Sequence, residues 1–504
     1  MVSGTHEKKV PIQKSAGVTA SEQYLAALCE RSFLSLWSYP NVHRDQGRHD
    51  GKGVGKELCD ILVVFDQHII VFSDKSCGFP DTGNLGVDWC RWFRRAVQKS
   101  ANQVYGAERW LRDHPDRVFV DPACTQPFPI TLPPPQTARV HRVVVALNAA
   151  TRCKLFFNNS GTGSLMIQPD IVGDAHLASP FRIGQLDPAR GYVHIFDDVT
   201  LNIILRELDT ITDFTEYLTR KEAAVTSGRL GGAAGEEELL AHYLTELNGE
   251  GHHDIIIPAD VTAAWFIEGS WQDVSSNTQY AAKKKADQQS YAWDRLIEAF
   301  SKHIAAGTLA SGNEHPLTDH ELGLRIMASE PRLARRNLAE AILDLMRNAP
   351  RDKQAVRHVL SKQSPERGYV FLVSPKQSHD SYDQYRQKRT ALLAAYCHVA
   401  KLKSPALLDI VGIAVDLPGP DGGSEDLLYL NARNWTEEEN ARTRELQEVT
   451  GILVSPRETH YHDNEYPEGP PLFSEPPTER GNRRQRRAVR AEARRRRKRQ
   501  HLLG

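Results

Sequence analysis

Residues Lys56–Ser76 read KELCDILVVFDQHIIVFSDKS. Two apolar runs, Ile61–Phe65 and Ile69–Phe72, flank the polar Asp66-Gln67-His68, which predicts two short strands joined by a tight hairpin over about 57–75. Asp60 opens the first strand and Lys75 closes the second, so a carboxylate and an amine come to matching ends of neighbouring strands. Upstream, Thr19-Ala-Ser-Glu22 has capping-box spacing before the apolar-periodic Tyr24, Leu25, Leu28, Phe33 and Leu36, and predicts a helix over about 21–37. Asn41–Asp45 fits a short strand, Gln46–Gly55 a glycine-rich loop and Cys77–Gly86 a second loop. A long helix is predicted over about 87–112, with Phe93, Val97, Ala101, Val104 and Leu111 on its apolar face. Trp92, Lys99 and Gln103, spaced by seven and four, should align on another face. His141–Leu147 (HRVVVAL) then reads as a buried strand, giving the order helix, three strands, helix, strand.

The chain of 504 residues is long for one core and implies two or three domains. After residues 1–19, a polar N-terminus, an α/β domain is expected over 20–227, with a strand at Tyr192–Phe196 and a helix from about 198 to 223. Gly228–Gly235 (GRLGGAAG) reads as a flexible linker. Residues 236–355 read as mostly helical, with Trp265, Trp271 and Trp293 expected inside. A small α/β unit is expected over 366–452, in the order strand, helix, strand, strand, helix. Residues 456–504 form a Pro/Glu-rich linker and an Arg-rich tail, expected to be disordered.

No apolar run approaches the roughly 20 residues that span a bilayer, and the N-terminus has no secretory h-region. The seven cysteines include no CxxC pair, which argues against a disulfide framework or structural zinc and for a reducing cytoplasm. The net charge of −1 conceals an asymmetry: Arg480–Gln500 holds twelve basic residues and one acid, leaving 51 basic and 63 acidic residues elsewhere. A basic tail on an acidic body suits a polyanionic partner, here nucleic acid contacted by Arg483, Arg484, Arg486, Arg487, Arg494, Arg495, Arg496 and Arg497. No membrane partner is expected, and assembly as a homo-oligomer is compatible with the chain.

A carboxylate beside a lysine is part of the equipment for metal-assisted phosphodiester hydrolysis. Magnesium takes one or two carboxylates and keeps several waters, and a lysine stabilises developing negative charge or orients the attacking water. The layout resembles the PD-(D/E)XK nuclease superfamily, closest to its Mrr-like and nuclease-related (NERD) branches, over about residues 20–150. The resemblance implies a restriction-endonuclease-like α-β-β-β-α-β core that cuts DNA with Mg²⁺ or Mn²⁺, in restriction, phage defence or repair. In that pattern Asp60 matches the strand aspartate, Lys75 the lysine and Gln103 the helical glutamine, while Glu22 or Glu30 matches the first-helix acid.

One position departs from the pattern. The E-x-K motif sets its acid two residues before the lysine, on the same face of the strand, and here that residue is Ser73. Asp74 would point to the opposite face unless a β-bulge at 73–75 turns it inward. Alternatively Glu57 or Glu30 supplies the second carboxylate, or the site is inactive and the domain only binds nucleic acid. Asp60, Asp74 and Glu57 are thus the candidate metal ligands, and Asp60, Asp74, Lys75 and Gln103 the candidate catalytic set. Lys99, with Arg91, Arg94 and Arg95 ahead of it, gives the second helix a basic front for a phosphate backbone. His252-His253-Asp254 and His460-Tyr-His462-Asp463 lack zinc spacing and read as surface histidines.

Overall fold

The computed structural model describes residues 12–48, 53–309, 317–417, 423–457 and 464–467. The N-terminal region begins with α1 (Ala20–Phe33) and the strands β1 (Ser38–Arg44), β2 (Lys56–Phe65) and β3 (His68–Ser76). α2 (Leu85–Phe93), a π turn (Arg94–Gln98) and α3 (Lys99–Asp113) lead to β4 (Val118–Phe119) and β5 (Arg139–Leu147). Then come α4 (Ala150–Phe156), β6 (Met166–Val172), β7 (Arg182–Gln185), β8 (Val193–Phe196), α5 (Thr200–Glu207), α6 (Ile211–Thr226) and β9 (Leu230–Ala233). The middle stretch is mostly helical: α7 (Glu236–Thr245), β10 (Ala264–Phe266), α8 (Ser270–Ser275), α9 (Thr278–Asp287), α10 (Tyr291–Ala306), α11 (Leu317–Ala328) and α12 (Arg332–Asn348). The C-terminal unit comprises β11 (Ala355–Leu360), β12 (Arg367–Val373), α13 (Tyr382–Lys403), β13 (Asp409–Val415), β14 (Glu425–Asn431) and α14 (Glu437–Thr450).

The fold is therefore a multidomain α/β arrangement: an N-terminal mixed sheet with helices, a helical middle and a small C-terminal sheet. The main sheet has the order β4-β1-β2-β3-β5-β8. β1, β2 and β3 are antiparallel, whereas β3, β5 and β8 run parallel. The hairpin closes with Phe65 opposite His68, and Asp66 takes the left-handed φ of 51° that a two-residue turn demands. Covered on both faces, β2 and β3 need continuous apolar runs rather than alternation, and Ile61–Val64 are fully buried. The capping box read at Thr19 and Glu22 starts α1. The four-stranded sheet of the C-terminal unit has the order β11-β12-β13-β14.

Several local readings change. The helix expected over 198–223 is two: α5 ends at Glu207, and Thr210 caps a new start by accepting the Asp213 amide at 3.1 Å. Gly228–Gly235 is no linker, because it contains β9, paired with β10 and β6. Its glycines serve close packing: a Cβ on Gly232 would come within 2.6 Å of the Trp265 ring. That ring lies over β9 and remains 56% exposed, contrary to its expected burial, whereas Trp293 is fully buried. The strands β6, β7 and β11 were not foreseen. Among the described residues no helix is long and apolar enough to cross a membrane.

A continuous apolar core runs from Leu25 on α1 through the middle helices to Val415 on β13. Buried ions span the same junctions. Arg332 donates to Asp209 and Asp294, both at 2.8 Å, and Arg335 donates to Asp294 at 2.7 Å. Glu330 accepts from the Tyr369 hydroxyl at 2.8 Å and so ties the helices to β12.

Residues 464–467 clip onto the middle helices. Arg336 donates to the carbonyls of Asn464 and Glu465, at 2.8 and 3.2 Å. The Tyr466 side chain is 1% exposed. Burial opposes ionisation of Glu465, but His253 and Lys283 hold its carboxyl at about 2. The expected surface role of His253 thus gives way to a partly buried ion pair with Glu465 at 2.9 Å. Tyr466→Ala should release this clip, so limited proteolysis followed by mass spectrometry should show new early cleavage near residues 457–467 while fragments from the core persist.

Candidate active site

The hairpin splits open where the acids lie. β2 and β3 pair from Phe65–His68 up to Ile61–Phe72 and no further, while β3 stays paired with β5 as far as Ser76–Leu147. Beyond the last pair the Asp60 side chain replaces a strand neighbour, its Oδ2 accepting the Asp74 amide at 2.5 Å. The Asp60 and Asp74 side chains are both buried, 1% and 4% exposed. The register of β3 on β5 has no shift between His68 and Ser76, so no bulge turns Asp74 on that side. The register shift lies instead between β1 and β2, where Val42 faces Cys59 and His43 faces Glu57, so the extra residue is Leu58 on β2, between Glu57 and Asp60.

Strand alternation then holds. Phe72 packs on Phe33 and Phe214, the face of α1 and α6, and Asp74 shares that face, where Ser21 at the start of α1 acts to lower its carboxyl. Ser73 faces α3 and donates its hydroxyl to Gln103 Oε1 at 3.0 Å. Lys75, half-buried, belongs by alternation to the Ser73 face. Its charge nevertheless acts on both Asp60 and Asp74.

Two more acids border this pair. Asn41, buried and with a left-handed φ of 48°, donates to Glu22 Oε2 at 3.2 Å and to Glu57 Oε1 at 3.1 Å. Burial works against Glu22, but the Val18 amide, the Asn41 amide group and Thr19 keep its carboxyl below the ordinary range. Burial pushes Asp60 up to about 6, against the pull of Lys75 and the Asp74 amide, with Glu57 and Glu22 adding to the rise. Asp74 also rises to about 6, chiefly by burial, with Asp60 and Glu22 adding repulsion. Asp74 Oδ1 is buried without a hydrogen-bond partner. An excess of carboxylate with one oxygen unused suits a cation, and the two buried aspartates match the magnesium requirement for one or two.

The structure thus links Glu22 and Glu57 through Asn41 and sets the Asp60 carboxylate on the Asp74 amide within range of the Lys75 charge, with Gln103 on Ser73. It leaves out Glu30, which is exposed and acts on Lys14 rather than on the aspartates. The alignment of Trp92, Lys99 and Gln103 fails: Trp92 is buried, its indole N–H on the Leu147 carbonyl at 3.1 Å, while Lys99 is exposed. The π turn between them breaks the seven-residue spacing. Arg95 is exposed on that turn, and its charge reaches Cys77, which Lys75 also affects. The tail arginines Arg483, Arg484, Arg486, Arg487, Arg494, Arg495, Arg496 and Arg497 lie outside the described residues, as do His460 and His462. Sequence reading missed Asn41 and Ser21. An asparagine after Pro40, tolerant of positive φ, was the available signal for the first; the second had none.

Comparisons with protein-family models, with curated proteins and with solved structures return no match.

The raised carboxyls carry a signed prediction. A folded-state acid lifted from 3.8 to about 6 binds more protons than its unfolded counterpart between those values, so stability falls as pH rises from about 4 to 6. Asp74→Asn removes that penalty and should raise the thermal midpoint at pH 7.5, by about 1–3 kcal/mol of stability at roughly 1.4 kcal/mol per pH unit. The gain should vanish at pH 4. A lower midpoint at pH 7.5 would contradict the assignment of Asp74 as a strained, charged group.

Proposed function

We propose that the N-terminal region is a PD-(D/E)XK-like, restriction-endonuclease-like domain and that the chain hydrolyses phosphodiester bonds of DNA with Mg²⁺ or Mn²⁺. The carrying observation is the pairing of Asp60 with Asp74 at the open end of the hairpin, under the charge of Lys75. Asp60 and Asp74 hold the metal, with Glu57 and Glu22 at its border. When bound, the metal polarises the phosphoryl oxygen and lowers the pKa of a coordinated water. Lys75 supplies positive charge where the oxyanion develops. Gln103, fixed through Ser73 on the α3 face, lies across β3 from Asp74 and reaches a phosphate or water around the open end of the hairpin. Lys99, Arg94 and Arg95, all exposed beside this face, contact the backbone without reading sequence.

Purified chain should convert supercoiled plasmid to nicked circles in Mg²⁺ or Mn²⁺ and not in EDTA. Nicking should fall below about pH 6, where Asp60 and Asp74 take up protons and release metal. Activity that is flat from pH 5 to 8 would argue against both as ligands.

Ser73 favours a second reading. A hydroxyl bonded to Gln103 occupies the place of the E-x-K acid, and a catalytically inactive domain that binds nucleic acid would tolerate it. Salt-sensitive DNA binding that survives Asp60→Ala and Lys75→Ala, with no nicking by the wild type, would select this reading.

A further inference from the structure

A second group of carboxylates lies on other elements of the chain. Three consecutive glutamates, Glu236, Glu237 and Glu238, open α7, and all three are buried. Glu236 is neutralised by Lys221, with which it forms a buried ion pair, and accepts the Tyr217 hydroxyl at 2.6 Å. Its two neighbours receive no such partner: among the described residues no lysine, arginine or histidine pairs with Glu237, Glu238 or Glu268. Yet one carboxylate oxygen from each of these three lies within 4.8 Å of the others.

The hydrogen bonds account for some of these oxygens and leave one over. Glu238 accepts the Gly269 and Trp271 amides, each at 3.0 Å. Glu268 Oε1 accepts the Thr162 amide at 3.2 Å. Glu237 Oε1 accepts the hydroxyls of Thr162 and Ser164, the latter at 2.7 Å. Glu237 Oε2 accepts nothing, although the side chain has no exposure at all. The dipole at the start of α7 offers partial compensation, but a helix end is equivalent to about half a charge and cannot balance three carboxylates. Glycines keep the space clear: a Cβ on Gly235 would come within 2.4 Å of Glu237 Oε2, and one on Gly161 within 3.2 Å of Glu268 Oε2.

We propose that the chain binds a hard divalent cation of the calcium class here, held by Glu237 Oε2, Glu238 and Glu268. The donors are all oxygen, without the nitrogen or sulfur that zinc and copper favour. Calcium–oxygen distances of about 2.3–2.6 Å allow ligand oxygens on opposite sides of the ion to stand up to about 5 Å apart, so oxygens within 4.8 Å of one another can share that ion. The cation would tie the Gly161–Ser164 loop, the first turn of α7 and the β10–α8 loop together. This site is independent of the hairpin acids.

Terbium(III), a calcium substitute excited through tryptophan, is the probe, because Trp271 donates its amide to Glu238 and Trp265 lies on β9 nearby. The full chain should give saturable terbium luminescence that calcium displaces. Glu237→Gln and, as a change on an exposed side chain that spares folding, Glu268→Gln should each weaken the calcium-displaceable terbium signal at least tenfold, while that signal persists in Asp60→Asn/Asp74→Asn. Wild-type luminescence in both glutamine variants, no displacement by calcium, or loss only in the aspartate double variant would overturn the proposal. The last result would assign the ion to the hairpin site and leave the nuclease reading intact.

Discussion

Asp60→Asn should reduce Mg²⁺-dependent plasmid nicking by two to three orders of magnitude or more, and Lys75→Ala should do the same, on the scale of removing one preorganised electrostatic contact from a phosphoryl-transfer site. The two substitutions act differently. Asparagine at 60 can still accept the Asp74 amide, so the split hairpin keeps its shape while a negative charge is lost from the cation site. Alanine at 75 removes the charge that restrains both aspartates, so their carboxyls should rise further and the acid limb of the pH profile should move to higher pH. DNA binding, measured by gel shift at fixed salt, should change little in either variant, because backbone affinity comes from other cations. Wild-type nicking rates in both variants would refute the assignment of the site, and a selective loss of binding would redirect it towards a non-catalytic role.

Arg332→Ala should destabilise the chain by about 3–5 kcal/mol, a large part of the stability of an ordinary domain. Arg332 is 5% exposed and satisfies Asp209 at the α5–α6 junction and Asp294 on α10, while its backbone N–H reaches Asp213. Removing the guanidinium leaves two buried carboxylates with too few partners. The ions join the N-terminal region to the middle helices, so both should melt earlier in denaturant, which is measurable by tryptophan fluorescence of the buried Trp37 and Trp293. Arg332→Met, which fills the volume but not the charge, should be nearly as damaging. A change under 1 kcal/mol would mean that water reaches this junction.

Much of the arrangement was legible because local chemistry and long-range packing agree. The apolar runs of β2 and β3 and the Thr19 capping box were each marked by period or cap. Strand alternation anticipated the separation of Asp74 from Ser73, and the structure retains it without a bulge in β3. What stayed hidden depends on distant partners. The glycines of β9 resemble a linker until Trp265 lies on them, and no local signal distinguishes close packing from freedom. Asn41 becomes part of the candidate site only when β1 carries it between Glu22 and Glu57. Sequence separates Glu22 from Asp74 by 52 positions, and only the packing of α1 on the sheet joins them. The three glutamates of α7 drew no reading from the sequence, since burial of all three requires a lysine on α6 and two loops that no short window contains.

The π turn at Arg94–Gln98 is a gearbox between two rhythms. Buried pairs recur every fourth residue along this helix, at Asp88/Trp89, Trp92/Phe93, Ala96/Val97, Ser100/Ala101 and Val104/Tyr105. An α-helix turns once in 3.6 residues, so each step of four overshoots by about 40° and the stripe would wind off the sheet. One wider turn absorbs the excess. Trp92 can therefore stay seated against β5 while, a few residues later, Gln103 still meets Ser73. The side that anchors the helix and the side that meets the candidate site are thus set in phase independently, and either can change its sequence without dragging the other around the axis.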